Sequence, residues 1–269
     1  RKVLLSPDNK HVMIAGVDTS AFLINLENGR VVKHFQGHSR SVIAFDFSAE
    51  GKYVATAGGD RVIKIWSLET GEVVKTLRGH QETIFDLKFS ADGQFIVSGA
   101  WDGSIRMWQW ETGKSEYMLM KNNSPYCVGF TPNELYVVTG DLDQNFQLWE
   151  RDAAAPFRTL VGHTSIPSGF DFTADNQNMV TCSWDGHVKV WNLLTGMLVG
   201  KMDQHQGDVY TVKCDPKGRF VASGGADNQI ILWDSQSNKV VSKLIGHSTS
   251  VTSIDITSDG KYLISMSVD

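Results

Sequence analysis

The sequence predicts an all-β fold, a seven-bladed β-propeller of four-stranded antiparallel blades whose seventh blade is incomplete within this chain. Three observations carry that expectation. The chain repeats itself with a period of about 42 residues. Each period holds short apolar or alternating runs rich in Val, Ile, Phe and Tyr, which read as strands. Turn residues separate those runs at regular places.

The period is fixed by residues that keep register, and a fixed period of this size dictates a repeat architecture. His38, His80, His163, His205 and His247 are in phase, and Lys121 fills the place between His80 and His163; the steps between these six positions are 42, 41, 42, 42 and 42 residues. An aspartate follows each after 22 residues: Asp60, Asp102, Asp143, Asp185, Asp227 and Asp269. Asp18 holds the same place in an earlier repeat. A hydroxyl stands four residues before each of the last six aspartates, at Thr56, Ser98, Thr139, Thr181, Ser223 and Ser265. A tryptophan stands six residues after those of repeats two to six, at Trp66, Trp108, Trp149, Trp191 and Trp233. Repeat one carries Ile14 and Ile24 at these two places. The repeats run over about 1–36, 37–78, 79–119, 120–161, 162–203, 204–245 and, in part, 246–269, and they read as a single domain.

Repeat two shows the elements in order. Val42 to Phe47, Tyr53 to Ala57, Val62 to Trp66 and Val73 to Leu77 are the strands, split by Ala49-Glu50-Gly51, Gly59-Asp60-Arg61 and Glu69-Thr70-Gly71. Asp102-Gly103 and Asp185-Gly186 are turns of the kind tight hairpins prefer, because glycine accepts positive φ. Each unit is therefore a four-stranded meander. One such sheet alone would leave two apolar faces in water, and radial packing of neighbours hides both. Arg1 enters midway along the innermost strand of blade one, and Asp269 falls after the second strand of blade seven. Three arrangements stay open: the natural chain continues, a partner segment closes the ring, or the ring stays notched.

Gly37-His38, Gly79-His80, Gly162-His163 and Gly246-His247, followed by hydroxyl, aspartate and tryptophan at constant spacing, make the chain resemble the WD40-repeat family over its whole length. It departs from the family pattern in three ways. Of the third-strand tryptophans only Trp233 is followed by aspartate, as Trp233-Asp234, repeat four has Met120-Lys121 in place of Gly-His, and repeat one is degenerate. Blades one and four are accordingly expected to be the least rigid. The resemblance implies a buried hydrogen-bond network in each complete repeat, tying the loop between blades to the middle strands. The four complete sets are His38, Thr56, Asp60 and Trp66; His80, Ser98, Asp102 and Trp108; His163, Thr181, Asp185 and Trp191; and His205, Ser223, Asp227 and Trp233. Carboxylate, imidazole, hydroxyl and indole N–H can satisfy one another away from water.

A hydroxyl, an imidazole and a carboxylate also suggest a nucleophile, a base and an orienting acid. An enzyme needs that set once, in one cleft; here it occurs four times, so no catalytic residue is assigned. Repeat length varies by a single residue, which leaves no insertion to build a lid, a metal cradle or a cofactor pocket. No cofactor and no metal is expected. Gly58-Gly59 and Gly224-Gly225 read as turn glycines, since no Lys-Ser/Thr or helix start follows them. The cysteines Cys127, Cys182 and Cys214 are odd in number, far apart and set in apolar runs, and read as packed free thiols. Asn122-Asn123-Ser124 matches a glycosylation acceptor by chance. A net charge of −5 over 269 residues supplies no basic field for a phosphate backbone, so direct nucleic-acid binding is not expected. No apolar run approaches the roughly 18 residues of a membrane span, and the N-terminus lacks a basic stretch followed by an apolar one. The expected location is intracellular, cytoplasmic or nuclear.

Binding is expected where the repeat does not dictate the residue. The resemblance places the residue before each turn aspartate, and those three and five after each histidine, along the narrow top face. Among these, Phe85, Trp101, Tyr126, Trp184 and Tyr210 are aromatic and Asp208 is the one acidic candidate, open to a basic peptide. Aromatic side chains on a concave surface are common anchors of protein interfaces. Phe85 and Tyr210 lie inside strand-like runs and could equally fill gaps between inner strands, whereas Trp101 and Trp184, at turn tips, read as exposed. The leading function is a non-catalytic interaction scaffold, a subunit that binds other proteins or peptides within a larger assembly. The alternative is a receptor for substrates or modified peptides, for example in a ubiquitin ligase, with the aromatic residues as its pocket. The Trp-Asp-x-Arg signature carried by one class of such receptors follows none of the five tryptophan-bearing third strands.

Overall fold

The computed structural model describes residues 2–16, 18–119, 124–151, 153 and 155–269. Its strands form meanders in which neighbours in sequence are neighbours in the sheet. Repeat two is representative: Val42–Phe47, Tyr53–Gly58, Val62–Ser67 and Val73–Arg78 pair antiparallel in that order. These ranges agree with the sequence expectation to within one residue. The reason is local, since β-branched and aromatic runs are bounded by Gly, Asp and Thr turns at both ends.

The expected seven-bladed propeller needs correction. Among the described residues six sheets have four strands, while the seventh has two, Val251–Ile256 and Leu263–Ser267. A blade requires third and fourth strands to complete its ladder, and residues 246–269 hold only the first two. Lys2–Leu5 begins a full four-stranded first sheet despite that repeat's missing marks.

The chain divides into two compact units, Arg1–Thr139 with Leu148–Phe157, and Gly140–Gln147 with Arg158–Asp269. In the first unit, Phe35, Phe45 and Trp66 pack between sheets one and two. Ile63, Leu87, Ile96, Trp108 and Trp110 pack between sheets two and three, and Val97, Val128, Val137 and Trp149 continue the core into sheet four. In the second unit, Val180, Val190, Val209, Val221 and Trp233 join sheets five and six, and Ile230, Val251 and Ile254 join sheet six to the two-stranded sheet.

Burial is graded across each sheet. The second strands Tyr53–Gly58, Phe95–Ala100, Asn178–Ser183 and Phe220–Gly225 are buried at every position after the first. Covered on both faces, they read as continuous small and apolar runs rather than alternating ones. The fourth strands open to solvent at their starts, as at Val73–Val74 and Val240–Val241. Within each unit the first strands of adjacent sheets are joined through side chains. Asp46 accepts the backbone N–H of Phe89 at 2.9 Å and the Lys88 ammonium at 2.8 Å. Asp86 accepts the N–H of Val128 in the next sheet and the ammonium of Lys2 from the more distant sheet one, and Asp171 accepts the N–H of Cys214. Strands in different sheets share no ladder, so a carboxylate supplies the acceptor that a buried N–H needs.

The glycine pairs are only partly turn residues. Gly224 and Gly225 both lie within the strand Phe220–Gly225, and a Cβ on Gly225 would stand 2.3 Å from the Asp208 carbonyl oxygen. Gly58 is in the same position against Ser41, at 2.0 Å. Close backbone approach, not turn conformation, selects glycine there. The three cysteines are free thiols; Cys127 and Cys182 are buried, and burial pushes the Cys182 thiol up to about 12.

The turn between second and third strands imposes positive φ on the residue after each aspartate: Arg61 at 68°, Gly103 at 76°, Gln144 at 71°, Gly186 at 83° and Asn228 at 66°. Only two of these five are glycine. An L-residue in that region costs about 1–2 kcal/mol, so Arg61→Gly should raise the melting temperature slightly. Arg61→Val, whose branched Cβ resists this conformation, should lower it, and thermal denaturation of the pair tests the assignment.

Candidate functional site

The residues singled out by the repeat form one buried constellation per complete blade. In blade two, the Trp66 indole N–H donates to Thr56 Oγ1 at 2.7 Å, Thr56 meets His38 Nε2 at 2.7 Å, and His38 Nδ1 meets Asp60 at 2.8 Å. The backbone N–H of Ser39 closes on the same carboxylate at 3.1 Å. Blade three repeats it with Trp108 to Ser98, Ser98 to His80 and His80 to Asp102 at 2.8, 2.8 and 3.2 Å. In blade five the corresponding distances, Trp191 to Thr181 to His163 to Asp185, are all 2.8 Å. In blade six, Trp233 to Ser223 to His205 to Asp227 gives 2.8, 2.8 and 2.9 Å.

One protonation pattern satisfies every member. The indole donates to the hydroxyl oxygen, the hydroxyl donates to Nε2, and a neutral imidazole protonated on Nδ1 donates to the carboxylate. Burial holds His80, His163 and His205 below the ordinary imidazole range, against the pull of the neighbouring carboxylates. Burial also opposes ionisation of Asp102 and Asp185, yet the imidazole and backbone N–H donors outweigh it and hold both carboxyls below the usual range. The hydroxyl is saturated by the indole and imidazole and is wholly buried at Thr56, Ser98, Thr181 and Ser223. It has neither a free lone pair facing a cleft nor a route for substrate, so the quartet is built to hold the fold.

Blades four and seven carry incomplete versions. Trp149 donates to Thr139 at 2.9 Å, while Met120, Lys121, Asn122 and Asn123 lie outside the described residues. In the two-stranded sheet, His247 still joins Ser265 at 2.8 Å and Asp269 at 3.2 Å, without an indole. Blade four also holds a buried carboxyl where other blades have Ala100 or Ser183: Asp141 accepts the backbone N–H groups of Asp143 and Asn145, and burial pushes it up to about 6.

The candidate binding residues fall into two groups, one in each unit. In the first, Phe85 lies 4.6 Å from Trp101 and 5.6 Å from Tyr126, centroid to centroid, with interplanar angles of 39° and 21°. Trp101 is 56% exposed, so this tilted stack ends in an open ring. In the second, Trp184 and Tyr210 meet at 6.2 Å and 90°, and the Tyr210 hydroxyl donates to Asp208 at 3.4 Å. All three of these are half-buried. Trp184 is less open than Trp101, although both turns are held alike, by the N–H of Trp184 on the Ile166 carbonyl at 3.0 Å and that of Trp101 on the Thr83 carbonyl at 2.9 Å.

A backbone feature aims these rings that sequence reading alone missed. Two of the first strands shift register between residues opposite Gly99 and Ala100 in blade three and between Val209 and Thr211 in blade six. The extra residue is Phe85 in one and Tyr210 in the other. Blades two, five and seven place Ile43, Ser168 and Thr252 in the same bulge. A bulged residue leaves the ladder and points off the pleat, which frees its identity from the core. The inner-strand carboxylates Asp46, Asp86 and Asp171 also went unread as inter-sheet acceptors; a charge in the middle of an apolar strand was their signal.

Two outcomes follow from the quartets. His163→Ala removes the imidazole partner of both the Thr181 hydroxyl and the Asp185 carboxylate and should cost about 1–3 kcal/mol, read as a lowered melting temperature. The second is a pH dependence. The unfolded chain protonates its histidines near 6.5, while buried His80, His163 and His205 stay neutral to lower pH, so the unfolded state binds more protons and stability falls as pH drops below about 6.5. Asp141 works the other way: its folded pKa is raised, so its penalty is present above about 6 and fades as pH falls toward 3.8. Melting temperatures measured from pH 8 to pH 4.5 should decline more steeply in Asp141→Asn than in the unsubstituted chain, because the asparagine removes the opposing contribution.

Comparison with known proteins agrees with this geometry. The family described as IFT122 first beta-propeller matches residues 1–193, and the WD domain, G-beta repeat, matches residues 196–234 and 238–269. Among curated relatives, Autophagy-related protein 16 of Arabidopsis thaliana is 26% identical over 49% of this chain and 26% of its own length. Small ribosomal subunit protein RACK1 of Drosophila melanogaster is 39% identical over 29% of this chain and 25% of its own. Eukaryotic translation initiation factor 3 subunit I of Pyricularia oryzae is 30% identical over 39% of this chain and 30% of its own. The chain thus spans less than a third of the length of each of these relatives. By its repeat, its buried quartets and the family match over its first 193 residues, the chain belongs to the WD40-repeat β-propeller family, in which it is similar to the IFT122 first beta-propeller.

Proposed function

We propose that this chain is a non-catalytic interaction scaffold, a subunit that binds other proteins or peptides within a larger assembly. The observation that carries the reading is Trp101, a large aromatic ring 56% exposed and leaning on Phe85 and Tyr126 at a place the buried quartets do not require. Exposed aromatic rings supported from behind bury large area on contact and lose little side-chain entropy. The quartet hydroxyls are consumed by their own partners. Two of the relatives are subunits by name, of the small ribosome subunit and of translation initiation factor 3, which supports an assembly role here. With a net charge of −5, the partner surface is protein rather than nucleic acid. No helix among the described residues is long and apolar enough to cross a membrane, and an intracellular setting, cytoplasmic or nuclear, fits three free thiols.

A second reading, a receptor for substrate or modified peptides, is favoured by the other cluster, where Trp184, Tyr210 and Asp208 combine two rings with a carboxylate.

The test is a capture experiment. Partners recovered with the wild-type chain and identified by mass spectrometry should be depleted severalfold by the double substitution Trp101→Ala and Trp184→Ala, with the melting curve unchanged. Full recovery on the double variant would remove both clusters from the interface.

A further inference from the structure

Six of the seven repeats place Asn or Gly in the left-handed turn before their second strand: Asn9, Gly51, Gly93, Asn176, Gly218 and Gly260, with φ between 56° and 71°. The fourth repeat places Glu134 there, at φ 60°. A long side chain in the left-handed region costs free energy, and such strain persists where something else requires the residue. The next position is polar elsewhere, at Lys10, Lys52, Gln94, Gln177, Arg219 and Lys261, but here it is Leu135, 60% exposed. Two residues beyond the tryptophan, repeats two, three and five carry Leu68, Trp110 and Leu193; the fourth carries Arg151.

These three departures line one open cavity of about 720 Å³, together with Asp92, Tyr136 and Glu150. All six residues belong to the first unit. A volume of this size lies in the range of ligand sites. Glu134 neutralises the cation in the wall: its Oε2 accepts Arg151 Nη2 at 3.4 Å, and its Oε1 accepts the backbone N–H of Ala91 from the matching turn of sheet three. The Arg151 guanidinium is held further by two rings, 5.2 Å from the Phe95 centroid and 5.3 Å from that of Phe130. Two carboxylates remain. Asp92 spends Oδ1 on the Ser90 hydroxyl and the Gln94 N–H, and among the described residues nothing donates to its Oδ2 or to the exposed carboxylate of Glu150.

We infer that this cavity is a docking site for an arginine side chain of a partner peptide. With Arg151 and Glu134 spent on each other, the charge left in the wall is negative, so the occupant is a cation. The acids do not converge on a point: among the described residues no group of three or more carboxylates, imidazoles or thiols could hold a metal ion. Asp92 comes from the turn of sheet three and Glu150 from the third strand of sheet four. A guanidinium carries five N–H donors in a planar fork and reaches two separate acceptors, whereas an ammonium is a single point of charge. Leu135 covers the aliphatic stem, which arginine lays on apolar surface while its head keeps polar partners. The site adds a contact to the scaffold proposed above and uses neither Trp101 nor Trp184.

Fluorine NMR of the whole chain labelled with 3-fluorotyrosine tests this, with the Tyr136 signal assigned by its loss in Tyr136→Phe. The probes are a short blocked peptide with one arginine among alanines and its lysine and citrulline counterparts. The arginine peptide should move the Tyr136 signal saturably, the lysine peptide several times more weakly, and citrulline, which keeps the shape without the charge, not at all. Glu150→Gln, at an exposed position, should leave the melting curve unchanged and weaken the arginine peptide roughly tenfold, the loss of one charge-assisted hydrogen bond. Leu135→Lys restores the residue type of three other repeats, so it should fold normally while placing a cation in the wall, and it should weaken the same peptide severalfold. A Tyr136 signal that ignores arginine, or that follows lysine or citrulline as closely, overturns the inference, as does an arginine affinity that survives either substitution. If that happens while partner capture still depends on Trp101 and Trp184, the scaffold reading stands and only the arginine site falls. If the peptide binds as expected and capture ignores both tryptophans, the aromatic clusters fall and the arginine site stands.

Discussion

A buried serine or threonine hydroxyl, receiving the indole N–H on one side and meeting the imidazole Nε2 on the other, is the contact around which each complete blade is organised. The hydroxyl sits on the second strand, the indole on the third, and the imidazole on the loop that leads into the blade. Three pieces of chain separated by 10 and 18 residues are thereby fixed to a single oxygen. Low polarity around the group strengthens each bond and makes any unpaired member costly. The aspartate completes the arrangement by holding the imidazole tautomer and by accepting the backbone N–H of the residue after the histidine. Where the quartet is whole, all the polar atoms it brings into the core are satisfied.

The quartets explain why the same residues cannot serve as an active site. A triad needs a hydroxyl with an open face toward substrate and a base able to take its proton. Here the indole blocks the open face, and burial keeps the imidazoles neutral with Nδ1–H committed to the aspartate. Repetition supplies the same evidence at another level, since four identical arrangements serve one structural need in four places. The variation among blades is informative in turn. Blade four keeps the indole-to-hydroxyl bond of Trp149 and Thr139 but buries the Asp141 carboxyl, a group with an ionisation cost that the other blades avoid. The two-stranded sheet keeps the imidazole bonds of His247, which is consistent with the loop, rather than the third strand, placing that ring.

Between the quartets, the positions that the fold leaves free are the bulge residues and the turn tips. In blades two, three, five, six and seven a bulge removes one first-strand residue from the ladder, and its side chain no longer answers to the pleat. This is how Phe85 and Tyr210 come to face other aromatic rings while their neighbours Ile84 and Val209 stay fully buried. The scaffold repeats and the surface does not: one unit offers a tilted aromatic stack, the other a right-angled pair with a carboxylate. Such a division lets a rigid frame carry different recognition chemistry from blade to blade.

The strand content, the meander within each repeat and the membership of every complete quartet were legible in the sequence, because each depends on residues at fixed short spacing: period-two apolar runs, turn glycines and aspartates, and partners 22, 18 and 10 residues apart. The number of four-stranded blades was over-read, since seven sets of repeat marks do not guarantee seven ladders; the last marks, Ser265 and Asp269, come after only two strands. The bulges, the inter-sheet carboxylates and the angle between Trp184 and Tyr210 needed the tertiary structure. The carboxylate contacts and the ring angle are set by residues in different sheets, about 26 to 43 positions apart in the chain, whose approach depends on backbone packing that no local pattern encodes. The sequence by itself determined which side chains would be paired in the core, since hydrogen-bond chemistry admits few combinations there. Only the packing of one sheet on the next decided how the remaining aromatic rings meet, because a ring's orientation is fixed by its neighbours and not by its place in the repeat.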